Sequence, residues 1–94
     1  MTEPTPIPNK NQFVTQCAIA CGEPLFAAFL KEKHPDEWSG VDEAAIVPGK
    51  RNHATLCLYA VLDIKSRTEL RTDPAKIDAW RPIFSDYEFW KADV

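Results

Sequence analysis

The sequence predicts an all-α protein, a single small helical domain of four to six helices around a central apolar helix at about residues 52–64. Three observations carry this. Every residue from Leu56 to Leu62 is apolar, so no single 3.6-residue stripe holds them all and the segment must be covered on several sides. Helix-start signals recur along the chain: a capping residue followed by a first-turn proline, or by an acid or amide three residues on. Ile77, Trp80, Phe84 and Tyr87 then follow one another at intervals of three and four. A buried strand is the rival reading of a run as short as Leu56–Leu62, but the cap signal at Asn52 and the continuation to Ile64 favour helix.

In chain order, Met1 to Pro8 holds three prolines and reads as a flexible tail, leaving residues 9–94 as the helical domain. Asn9 with Gln12 is a capping-box pattern, after which Phe13, Cys17, Ala20 and Cys21 recur at helical spacing and Gly22 supplies a stop. Pro24 opens a second helix whose apolar face is Leu25, Phe26, Phe29 and Leu30. Lys31 and Lys33 complement its C-terminal dipole, and His34-Pro35 ends it. Asp36-Glu37-Trp38 suggests one turn, Val41 to Val47 a short helix started by Ser39, and Pro48-Gly49 a turn. After the central helix, Ser66-Arg67-Thr68-Glu69 is a second capping box opening a turn that buries Leu70. Asp73-Pro74 starts the last helix, which Pro82 is expected to kink or split, with Ser85 and Glu88 able to restart it.

The chain has 94 residues, 45% apolar and 27% charged, with a net charge of −3. That is one ordinary globular domain, and its charge alone argues for neither a nucleic-acid nor a membrane partner. The charge is unevenly spread: residues 50–81 carry seven bases against four acids, +3, inside an otherwise acidic chain. The first nine residues do not resemble a signal peptide, and no segment approaches the ~20 apolar residues of a membrane span. Three cysteines do not make a self-contained disulfide framework, so a reducing cytoplasm is the expected location.

Two side-chain groups hold candidate chemistry. Cys17 and Cys21, and His53 and Cys57, are each four apart and so share a helix face; facing one another they would make a zinc tetrahedron. Buried structural thiols are the preferred reading, because all three cysteines fall on faces assigned to the core. No cofactor is expected, and no phosphate-binding glycine loop or catalytic constellation is present. The second group is basic. Arg51, Lys65, Arg67 and Arg71 flank the central helix, and arginine is enriched at the hot spots of protein interfaces. Basic residues beside Tyr59, Trp80 and Trp90 also suggest single-stranded nucleic-acid binding, although the helical stripe assigns Trp80 and Tyr87 to the core.

The segment from Ile64 to Trp90, with its Ser66-Arg67-Thr68-Glu69-Leu70 turn and closing Phe89-Trp90, resembles small uncharacterised phage and prophage accessory proteins. So does Cys21-Gly22-Glu23-Pro24-Leu25-Phe26-Ala27-Ala28-Phe29-Leu30. The resemblance covers about two-thirds of the chain and brings no active site. It implies a non-enzymatic protein that works by binding another protein, such as a component of the host's replication, recombination or defence machinery. Direct DNA binding through residues 50–81 is the alternative.

Overall fold

A computed structural model of the protein describes residues 12–93; the proline-rich segment 1–8 and the Asn9 cap lie outside the described residues. The described chain is all-α. It forms α1 (Gln12–Cys21), α2 (Pro24–Lys33), α3 (Pro35–Ser39), a 3₁₀ turn at Glu43–Ala45, α4 (His53–Leu62), α5 (Glu69–Thr72) and α6 (Pro74–Ala92). The one β-type pairing among these residues is an isolated bridge between Val47 and Arg51.

Local chemistry explains most of the boundaries. The axes of α1 and α2 meet at 89°, with Gly22 between them. Pro24 and Pro74 occupy first-turn positions, where a missing N–H costs nothing. Asn52 caps α4 and Asp73 caps α6, each accepting a backbone N–H, at 2.8 Å from Thr55 and 3.0 Å from Ala75. The helix α4 ends on Asp63 in the left-handed region, at φ 57°, and the Ile64 N–H reaches back to the Tyr59 carbonyl at 2.9 Å. This is a Schellman-type stop. Lys76, from α6, donates to the Leu62 carbonyl at 3.2 Å and covers the same helix end.

Several expectations need correcting. Ser39 does not start a helix over Val41–Val47. It closes α3, and Asp42 instead caps the three-residue 3₁₀ turn through Ala44. Val47 precedes Pro48, which biases it towards extended backbone, and there it pairs with Arg51. Pro82 does not split α6, which runs through it for 19 residues. The capping box at Ser66 is half formed. Glu69 accepts the Ser66 N–H at 3.3 Å and the Lys65 N–H at 2.7 Å, but the Ser66 hydroxyl accepts from Thr68, so α5 begins later. The turn still buries Leu70. On α2, Phe26, Phe29 and Leu30 are buried, whereas Leu25 is 41% exposed.

The core joins α1, α2, α4, α5 and α6. The helix α2 packs on α1, α3, α4 and α6, while α4 packs on α2, α3 and α6. An aromatic cluster welds α2 to α6: Phe26 meets the Trp80 and Tyr87 rings edge-on, with centroids 6.1 and 4.8 Å away, an arrangement that adds to simple area burial. The polar tips of the α6 rings each find an acceptor. Trp80 Nε1 donates to Gln16 at 2.8 Å, the Tyr87 hydroxyl to Glu23 at 2.5 Å, and Trp90 Nε1 to Glu32 at 3.3 Å.

Tyr87→Phe removes the donor to Glu23 while keeping the ring. It is expected to lower unfolding free energy in a urea titration by about 1–2 kcal/mol, against about 3–5 kcal/mol for Trp80→Ala. Pro82→Ala restores a helix-interior N–H at an exposed position and is expected to stabilise the protein, by up to about 3 kcal/mol.

Candidate functional site

Where α1 ends and α4 begins, the surface folds inward to a pocket of about 290 Å³. Its floor comes from the end of α1, with Ala18, Cys21 and Gly22. Its rim comes from the turn before α4, with Gly49, Lys50 and Asn52, and from Thr55 and Arg67. The rim is set by local rules. Pro48-Gly49 makes a type II turn in which Gly49 takes φ 81° and the Lys50 N–H donates to the Val47 carbonyl at 2.9 Å. Glycine is required there because a side chain is strained at that φ. The turn delivers Lys50 beside the pocket and Asn52 onto the start of α4.

Asn52 then fastens the two helices. Its Oδ1 accepts both the Thr55 N–H and the Thr55 hydroxyl at 2.8 Å, and its Nδ2 donates to the Cys21 carbonyl, also at 2.8 Å. One side chain thus satisfies an orphan donor of α4 and an orphan acceptor of α1.

Arg67 enters from the turn between α4 and α5. It is half-buried and lines the pocket together with Cys21, whose thiol its positive charge helps to hold down. Cys17 and Cys21, one helical turn apart, form a hydrogen-bonded thiol pair. The Cys17 thiol is pushed up, first by that hydrogen bond and then by burial, and Cys21 is the lower member of the pair. Thr55 lines the same pocket, and its single hydroxyl proton goes to Asn52. Burial likewise raises the Tyr59 hydroxyl, partly offset by the charge and backbone of Arg67.

Of the four basic residues singled out from the sequence, only Arg67 lines this pocket. Arg51, Lys65 and Arg71 are exposed and lie outside its lining. The second cation of the pocket is Lys50, which the sequence reading did not single out. Its signal was positional: a Pro-Gly turn and a helix cap on either side of it. No carboxylate lines the pocket.

The cysteine and histidine set divides. Cys17, Cys21 and Cys57 are free thiols in the core. His53 turns to α3, where its ring stacks on Trp38 with centroids 4.0 Å apart and its Nε2–H donates to the Trp38 carbonyl at 2.8 Å. Among the described residues, no three of His, Cys, Asp and Glu stand close enough to share a metal ion. Burial, with smaller contributions from Glu37 and Cys21, pushes the Cys57 thiol up to about 12.

No single helix among the described residues is long and apolar enough to cross a membrane. Comparison with protein-family models, curated proteins and solved structures returns no match.

The raised thiols and phenols fix an alkaline limit to stability. Cys17, Cys57, Tyr59 and Tyr87 all hold their protons more tightly when folded than their ordinary values of 9.0 or 10.0. Their contribution is complete below the unfolded value and is lost as pH rises towards the folded one. Cys21, held below its ordinary value, works the other way and adds stability as pH rises towards about 9. The melting midpoint is therefore expected not to fall before about 9 and to drop between about 9 and 12. A midpoint unchanged to the top of that range would contradict the burial argument.

Proposed function

We propose that the protein is a non-enzymatic accessory protein of the phage type, acting in the cytoplasm by binding an acidic segment of another protein at the pocket between α1 and α4. The observation that carries this reading is the pocket's charge. Lys50 and Arg67 line it and no acid does, in a chain where 14 acids outnumber 11 bases. A half-buried guanidinium is partly desolvated already and offers a planar fork that matches a carboxylate. Components of host replication, recombination or defence machinery are the partners this reading has in view.

The same cations would also attract phosphate, so nucleic acid is the competing ligand. The rings argue for protein. Single-strand binding needs aromatic faces on which bases stack, yet Trp80 is wholly buried and Tyr59 half-buried, and the Trp90 indole is held by Glu32.

The test uses the full chain as bait, with Lys50→Glu and Arg67→Gln as variants. A charge that contributes about 2 kcal/mol at an interface corresponds to roughly thirtyfold in affinity, and each variant is expected to weaken binding to the retrieved protein by at least that. Lys50 is exposed, so Lys50→Glu should change stability by no more than about 0.5 kcal/mol. Wild-type retention by both variants would reject the pocket. Affinity for an oligonucleotide that falls steeply and linearly with the logarithm of salt concentration, without any protein retrieved, would favour the nucleic-acid reading instead.

A further inference from the structure

The outer face of α6 carries a large side chain for which the isolated fold has no use. Phe89 is 78% exposed, against 61% for Ile19, the next of the large apolar residues on the surface. It forms the lip of a groove of about 610 Å³ between α6 and the C-terminal end of α2, with Phe29, Ile83 and Trp90 among its apolar walls. A bare phenyl beside an open apolar groove leaves both surfaces in contact with water, and each would be stabilised by being covered.

The charges around the groove are sorted by wall. Asp86 and Asp93 stand three residues before and four residues after Phe89, and so share its face of α6. Both line the groove. From the C-terminal end of α2 the lining residues are Lys33 and the cap residue His34, and the helix dipole there favours the Lys33 cation. A phenyl flanked by carboxylates therefore lies beside a hole with a basic edge. The face therefore carries both a knob and a hole, and both an acidic wall and a basic one.

We propose that this face is the interface of a two-fold homodimer, in which each Phe89 fills the groove of the second copy. The same contact brings Asp86 and Asp93 against the α2 end of the partner, where Lys33 lies. Such an isologous contact uses one patch twice and closes on itself. Any other partner would have to supply a knob and an acidic flank that a second copy already has. In the single chain Lys33 pairs with Glu32 at 3.3 Å, both half-exposed, and an ion pair of that kind is easily given up. The interface shares no residue with the pocket that holds Lys50 and Arg67, so it stands or falls independently of the function proposed above.

Sedimentation velocity on the full chain over a concentration series tests it. The wild type is expected to pass from monomer to dimer as concentration rises. Phe89→Asp should dimerise at least about thirtyfold more weakly, as for a central interface anchor, with an unchanged helical circular dichroism spectrum. Lys33→Glu and Asp86→Lys should each weaken the dimer, and the double variant carrying both should recover it, because the swap restores opposite charges across the two-fold axis. A wild type that stays monomeric throughout overturns the proposal. So does a Phe89→Asp protein that dimerises like the wild type, or a double variant no better than the singles.

Discussion

The structure depends on satisfying the polar tips of the rings that α6 buries. Each large ring taken out of water stabilises the fold by about 1.5–3 kcal/mol, but an indole N–H or phenol O–H buried without a partner cancels much of that gain. Gln16 on α1 and Glu23 at the head of α2 supply the acceptors for the buried Trp80 and Tyr87, and Glu32 near the end of α2 holds the half-buried Trp90 at the surface. Glu23 shows the priority: it stands at the N-cap of α2, yet its carboxylate makes no cap there and serves Tyr87 instead. With both ends of the α1–α2 corner fixed to one long helix, the right angle between those two helices is held from outside, and the Phe26 and Phe29 rings are closed in.

The junction of α1 with α4 is held differently, by one amide. Asn52 joins a carbonyl at the end of one helix to a donor at the start of the next, and the geometry of the basic pocket follows from that clamp. The positive-φ glycine at 49 aims Lys50, while Arg67 reaches the pocket from the turn between α4 and α5 and lies there with Cys21. The pocket and the α6 face therefore rely on separate supports, which allows one to be altered without disturbing the other.

What was legible in the sequence was local or periodic. The caps at Asn52 and Asp73 need only their own next turn, and the stripe through Trp80 and Tyr87 needs only the 3.6-residue repeat. Of the kink or split expected at Pro82, the split does not occur, because a cost of about 3 kcal/mol in a helix interior is outweighed by rings buried on both sides of it, and that balance is tertiary. The stretch 41–47 failed for a related reason: Pro48 and the pairing of Val47 with Arg51 override a weak helical tendency. For the site, the burial of the three cysteines followed from their helix faces. The approach of Arg67 to Cys21 did not, because it joins residues far apart in the chain. Phe89 lay off the Ile77–Trp80–Phe84–Tyr87 stripe, which was a readable sign of exposure that acquires meaning only beside the groove.

The pairs Gln16–Trp80 and Glu23–Tyr87 are each separated by 64 residues, and this has a consequence for how the chain is made. At ribosomal rates of about 5–20 residues per second, roughly 3–13 s separate the synthesis of α1 and α2 from that of the rings that close over them. Throughout that interval Phe26 and Phe29 lack their main cover, and Gln16 and Glu23 are bonded only to water. Contacts of such long range also slow folding once the chain is complete, since loop closure must be paid for before they form. The nascent chain is thus most prone to aggregation before α6 emerges, and a truncation ahead of Tyr87 would make that vulnerable state permanent.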